Sequence, residues 1–189
     1  QNVRAVPGVE MIGLADEDHL RGERFARQFD ARLFDSYEAL LATRPDGVII
    51  CSENNKHRPL VELAAAAGAH VLCEKPLAMT VKQAQAMLAA AQKSKVVHMV
   101  CHNYRRIPAV MLARDIVASG KLGRVYHYRG TYLQDWPVDP SVPLHWRFRK
   151  DKSGSGSLGD ILSHSLDLGR FVLGSEVTEV AGALETFVK

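Results

Sequence analysis

The chain has 189 residues, of which 47% are apolar and 24% charged. That is an ordinary globular composition with room for one full domain or two small ones. It excludes a disordered tail, a collagen-like repeat and a disulfide-stapled miniprotein. The net charge of +3, from 24 Lys plus Arg against 21 Asp plus Glu, is not gathered into a stripe, so nucleic acid is not an electrostatically favoured partner.

The run at 9–15, closed by Asp16, reads as a strand, and 18–30 has helical composition. A short strand is expected at 32–34. The capping-box spacing of Asp35 and Glu38 then opens a short helix to Leu41. A Pro-Asp-Gly turn at 45–47 leads into a buried strand at 48–51. A helix follows at 57–67, with Pro59 in its first turn and Gly68 as C-cap. Next come a strand at 70–73, a second capping box at Thr80 and Gln83 with a helix to 94, and a strand at 96–101. Strands of unbroken apolar character alternating with helices predict an incomplete Rossmann-type parallel sheet covered on both faces.

Beyond Tyr104 the pattern changes. A helix is expected at 108–119. The alternation at 125–133, with Tyr126, Tyr128 and Tyr132 on one face, predicts a strand of an antiparallel sheet. A Ser/Gly run at 153–157 precedes a helix at 158–173 that stops at Gly174, and 177–188 reads as two more strands. The expected division is a dinucleotide-binding domain at 1–103 and a substrate-binding α+β domain at 104–189. The longest nearly apolar run, 61–67, carries Glu62 and is too short for a bilayer, so no membrane association is expected. Cys51, Cys73 and Cys101 cannot all pair and form no CxxC. This fits a reducing, cytoplasmic setting and gives no spacing for a zinc site.

In an open parallel sheet, ligands bind beyond the carboxyl ends of the strands. Asp16 at such an end can accept hydrogen bonds from a ribose, and Glu17 and Asp18 beside it would repel a 2′-phosphate, favouring NAD over NADP. Equally, Asp16 or Asp18 can cap the next helix. Lys75, leaving the strand with Glu74, can hydrogen-bond a substrate oxygen or be a solvated loop lysine. Asp160 and His164 stand at i and i+4 on the helix at 158–173. They suit general acid–base work, or are a surface carboxylate and a satisfied histidine.

Together VLCEKPL at 71–77, NYR at 103–105 and GSGSLGDILSHSLD at 154–167 resemble the Gfo/Idh/MocA family of NAD(P)-dependent sugar and inositol oxidoreductases. Trp136, Trp146, Arg147 and the segment 133–135 resemble the branch acting on unphosphorylated sugars and cyclitols. The resemblance implies a dehydrogenase that oxidises a sugar or cyclitol hydroxyl by hydride transfer to NAD. Lys75, Asp160 and His164 would form the catalytic set. Asp16, Ser52, Asn54, His57, Glu74, Lys75 and Asn103 would contact the cofactor. Lys75, Arg105, Tyr132, Trp146, Arg147, Asp160 and His164 would contact substrate. It also implies a homo-oligomer assembled through the C-terminal sheet.

Under the same resemblance the glycine-rich turn and first strand would lie upstream of Gln1, so the chain is expected to be a piece of a longer enzyme, truncated at both ends, and inactive as it stands. Glu53 stands where the family usually has proline, which questions that loop's shape, and Leu162 replaces a glycine, which would crowd the pocket. Two other functions fit the same fold: a glycosidase using tightly bound NAD for transient oxidation, and a non-catalytic sugar sensor. Retention of Lys75, Asp160 and His164 argues against the sensor.

Overall fold

The computed structural model describes residues 3–136 and 138–186. Among the described residues five short strands, all paired in parallel, form two sheets. Strand β1 (Leu14–Ala15) pairs with β2 (Leu33–Phe34) across helix α1 (His19–Gln28). Asp18 is the N-cap of α1, its carboxylate accepting the Arg21 amide at 3.0 Å. The expected strand at 9–15 shrinks to its last two residues because only these find a partner on β2. Ser36, one residue beyond the expected cap, accepts the Ala39 amide at 3.0 Å and opens α2 (Tyr37–Leu41).

The second sheet has the order β3 (Gly47–Ile50), β4 (His70–Glu74), β5 (His98–Cys101). Parallel neighbours need crossovers, and helices α3 (Asn54–Ala66) and α4 (Val81–Lys93) supply them. The capping box of α4 forms nearly as expected. Thr80 Oγ1 accepts the Gln83 amide at 3.2 Å, and the Gln83 side chain accepts the amide of Met79 at 3.1 Å. Ile50, Val61, Ala64, Val71, Cys73 and Met87 make the core between sheet and helices, and Ala65, Ala91 and Val96 extend it.

Helices cover one face of this sheet, not both. The cross-strand row Ile49, Leu72, Met99 lies on the other face, where Ile49 and Met99 are about half exposed. Helix α3 begins three residues earlier than expected. Glu53 precedes it at φ −64°, a value proline itself adopts, so the backbone here is one that either residue can take.

After β5 come a 3₁₀ turn (Asn103–Arg106) and α5 (Pro108–Ala118), then a long irregular segment. Among the described residues no strand follows Cys101, so the antiparallel sheet expected after residue 104 is not formed. Alternation marks which side chains share a face, but a strand exists only where a neighbouring backbone completes the ladder. None of 124–134 donates a backbone hydrogen bond among the described residues. The same holds for 177–186, while the end of that expected strand, Phe187 and Val188, lies outside the described residues. The tyrosine row also separates. Tyr126 is exposed, Tyr128 packs on Gly169, and Tyr132 turns to Tyr104. A 3₁₀ turn (Trp146–Phe148) and the short α6 (Lys150–Ser153) then lead to a π-helical turn (Leu158–Leu162) that runs into α7 (Ser163–Leu173). Gly174 ends α7 at φ +64°.

Candidate active site

Parallel strands deliver their carboxyl ends to one edge of a sheet. Here β3 ends before Cys51 and Ser52, β4 ends in Glu74 with Lys75 next, and β5 is followed by His102 and Asn103. From the second half of the chain, the π turn and α7 meet that edge. The Lys75 ammonium donates to both Asp160 Oδ1 and the Asp160 carbonyl oxygen, each at 2.7 Å, across 85 positions of sequence. Both side chains are mostly buried, at 14% and 20% exposure.

Asp160 and His164 come from one helical run as expected, but the winding between them is π, not α. Such extra-residue turns are frequent at functional sites. His164 is buried at 7% exposure. Burial first, then the charges of Lys75 and His102, hold its imidazole below the usual range, against the opposing pull of Asp160 and Glu74. The ring is therefore neutral and able to take a proton at pH 7.

A pocket of about 270 Å³ opens on the far side of Asp160, walled by Tyr132, Trp136, Arg147, Phe148 and Ser157. Arg147 Nε lies 3.4 Å from Asp160 Oδ2, so Asp160 stands between two cations. The pocket falls just short of the roughly 300–1,000 Å³ of drug-sized sites, which suits a small molecule. Leu162 does not crowd it: it is 41% exposed and lines a shallower neighbouring hollow.

Several residues expected to meet a ligand are engaged elsewhere. His57 is fully buried, with Nδ1 3.0 Å from the Pro76 carbonyl oxygen and Nε2 3.2 Å from that of Ser52. No ring nitrogen is left for a cofactor; His57 ties the β3–α3 loop to the loop that carries Lys75. Asn54, also buried, donates to the Ser153 carbonyl at 2.9 Å and so links α3 to α6. Lys152 Nζ donates to Glu53 at 2.7 Å across the same junction. Arg105 spends its fork on the buried carboxylate of Asp167. Trp146 does not wall the pocket, and its ring backs the Arg147 guanidinium at 4.5 Å. Ser52, whose hydroxyl makes only a long 3.4 Å bond to the Glu53 carbonyl, and the exposed Asn103 stay accessible at the strand ends.

Three residues of the site received no role from the sequence, although Tyr104 lies in the NYR motif, Gln134 in the segment 133–135 and His102 at a strand end. Tyr104 stacks on His164 with ring centroids 4.2 Å apart and planes 20° from parallel. His102 Nδ1 lies 3.6 Å from Asp167 Oδ2, and Gln134 accepts the Trp136 indole N–H at 3.1 Å. An aromatic in a 3₁₀ turn and polar residues in an irregular segment follow no period.

The donor set fits a dinucleotide. Burial raises the Asp16 carboxyl, but the Arg21 guanidinium and the Asp18 amide outweigh it and keep the group ionised, an acceptor at a strand end as a ribose diol requires. Arg21 holds both Asp16 oxygens at 2.7 Å, so a ribose must share or displace it. Ser52, Glu74 and Lys75 supply polar atoms at the other strand ends. Burial pushes the Cys73 and Cys101 thiols up to about 12 and about 11, which leaves them protonated at neutral pH. Among the described residues no group of three His, Cys, Asp or Glu is placed to hold a metal ion, and no helix is long and apolar enough to cross a membrane.

Residues 1–102 match the NAD-binding Rossmann fold of the GFO_IDH_MocA oxidoreductase family, and 110–189 match the GFO/IDH/MocA C-terminal domain. A levoglucosan dehydrogenase of Pseudarthrobacter phenanthrenivorans is 47% identical over 141 residues, 75% of this chain and 36% of that protein. A 1,5-anhydro-D-fructose reductase of Ensifer adhaerens is 34% identical over 184 residues, 94% of this chain and 53% of that protein. The chain thus spans about a third to a half of the length of these curated relatives. Among solved structures, an oxidoreductase domain protein from Kribbella flavida superposes with a TM-score of 0.90 at 44% identity, covering 95% of this chain and 49% of that one. A levoglucosan dehydrogenase in complex with NADH and levoglucosan superposes with a TM-score of 0.82 at 40% identity, covering 87% and 45%.

Proposed function

Because the chain belongs to the GFO/IDH/MocA oxidoreductase family, we propose that it carries the catalytic centre of an NAD-dependent dehydrogenase acting on a hydroxyl of an unphosphorylated sugar or cyclitol. The observation that carries this reading is the Lys75 ammonium seated on Asp160, one turn from the neutral imidazole of His164. The relatives named above are dehydrogenases and a reductase, which does not favour the glycosidase or the sensor.

NAD bound along the strand ends, with Asp16, Ser52, Glu74 and Lys75 as its contacts, would supply the hydride acceptor. His164 takes the substrate hydroxyl proton on a ring nitrogen, a transfer worth about 10²–10⁴-fold. The Lys75 cation faces the oxygen on which negative charge develops. Asp160 and Arg147 at the pocket floor hold neighbouring hydroxyls, and Tyr132, Trp136 and Phe148 offer apolar surface to the C–H face of the ring. With a domain boundary near residue 103, the hydride acceptor is bound by the first domain and the sugar held by the second, the two meeting beside Lys75 and His164. Three free cysteines suit a reducing compartment, and exposed Tyr126 suits association between copies through 125–133.

The test is a screen of the complete gene product for NAD reduction with sugars and inositols, levoglucosan among them, and for NADH oxidation with 1,5-anhydro-D-fructose. At least one should yield or consume NADH. His164→Ala should lower turnover by about 10²–10⁴-fold and Lys75→Ala by about 10²–10³-fold. Turnover within a few-fold of the parent in either variant removes the assignment.

A further inference from the structure

We propose that Tyr104 is a positioning residue for the His164 imidazole, holding its plane by a face-to-face stack that is pinned in turn by the hydroxyl of Tyr132 on the pocket wall. The inference rests on the reading of His164 as proton acceptor. A general base is usually oriented by a third group that hydrogen-bonds its far nitrogen. His164 lacks that device: among the described residues no hydrogen bond reaches either of its ring nitrogens, although Asp160 precedes it by one turn and Asp167 follows it on α7. Asp160 is taken by Lys75 and Asp167 by Arg105. Packing must therefore set the ring plane.

The stack does so. The two ring centroids are 4.2 Å apart at 20°, and the Tyr104 hydroxyl lies 2.8 Å from that of Tyr132. Tyr132 meets the Gln134 amide at 3.4 Å, and Gln134 accepts from Trp136 at 3.1 Å. Tyr132, Gln134 and Trp136 all wall the pocket. A polar chain thus runs from the pocket wall to the ring that backs the base. An occupant pressing on Tyr132 or Trp136 bears on His164 through it.

The stack also has an electrostatic sense. The groups facing His164 are Lys75 and His102, which disfavour an imidazolium, Asp160 and Glu74, which favour it, and the two phenols. The face of an aromatic ring is electron-rich and attracts a cation above it. Tyr104 therefore stabilises the imidazolium formed when His164 accepts the proton, partly offsetting Lys75. Losing an attraction of this kind lowers the histidine pKa by roughly half a unit.

The test follows the His164 ring by NMR titration in the complete gene product, with kcat and KM measured beside it. Tyr104→Leu should lower the His164 pKa by about half a unit. It should also cut kcat on the order of tenfold through the loosened ring, with little change in KM. Tyr104→Phe keeps the stack and should restore the pKa and most of kcat. The proposal is overturned if Tyr104→Leu moves neither quantity, or if Tyr104→Phe behaves like Tyr104→Leu. Should Tyr104→Leu fail to fold, Tyr104→Met decides. It fills the same space without an aromatic face and should lower the His164 pKa in the same way, and an unmoved titration overturns the proposal. The base assignment fails separately, if His164→Ala keeps its turnover. The NMR shift still reports on the stack in that case.

Discussion

The β3–β5 half and the segment after α5 are held together by different physics. In the first, Val61, Ala64, Val71, Cys73 and Met87 are each at most 5% exposed, and two helices press them against three strands. In the second, Leu133, Leu144 and Val180 are more than 70% exposed, and no ladder forms among the described residues. What ties the second region to the first is a few polar clasps, Lys75 on Asp160, Asn54 on Ser153 and Lys152 on Glu53, while Arg105 holds Asp167 beyond β5. Apolar burial is non-directional and builds a scaffold. Charge-assisted hydrogen bonds are directional and place atoms. In this chain the group that places the second region, Lys75, is also the group proposed to act on substrate.

The contrast breaks most sharply in the core. Met87→Ala should cost about 2–5 kcal/mol, whereas Leu133→Ala should stay within about 0.5 kcal/mol. Urea unfolding of both variants checks this, and equal losses would mean that the second region has a core of its own. Asp167→Asn comes next, at about 1–3 kcal/mol, less than for a fully buried pair because Arg105 is 39% exposed and can turn to water. Asn54→Ala should cost about 1 kcal/mol, and hydrogen exchange should show the loss at α6 and not in β4. A graded effect comes with pH. Burial first holds His164 and His102 below the ordinary imidazole range; Lys75 adds to it at His164, while at His102 Asp167 pulls the other way ahead of the smaller push of Arg105 and Lys75. The unfolded chain therefore takes up protons that the folded one refuses as pH falls past about 6.5. Stability from these groups is complete above that pH and declines below it. Melting temperatures that do not fall between about pH 7.5 and 5.5 would contradict it.

Much of the first region was legible in the sequence because local rules and tertiary demands agree there. The cap at Thr80, the glycine at 68 and the apolar runs of β3 and β4 all point one way. That Lys75 and Asp160 belong to one site is implied by the family resemblance, whereas their direct contact is not. What spacing does not encode is where a polar side chain near a cleft spends its hydrogen bonds. His57, Asn54 and Arg105 occupy positions that read as ligand contacts, yet each is turned on another loop or helix. The strand at 125–133 failed for a related reason, since alternation is a property of one segment and pairing a property of two. Tyr104 stood in the NYR motif without a role, because a motif's spacing does not say which ring it stacks on.

The π turn at 158–162 sets an angular phase between Asp160 and His164. Each residue added to or taken from a helix rotates everything beyond it by about 100°. Deleting Leu162, which lies between the two, would return this stretch to ordinary winding and at the same time swing the Lys75 anchor out of line with the imidazole. The irregularity is thus a fixed offset between two side chains, and straightening the helix would put them out of step.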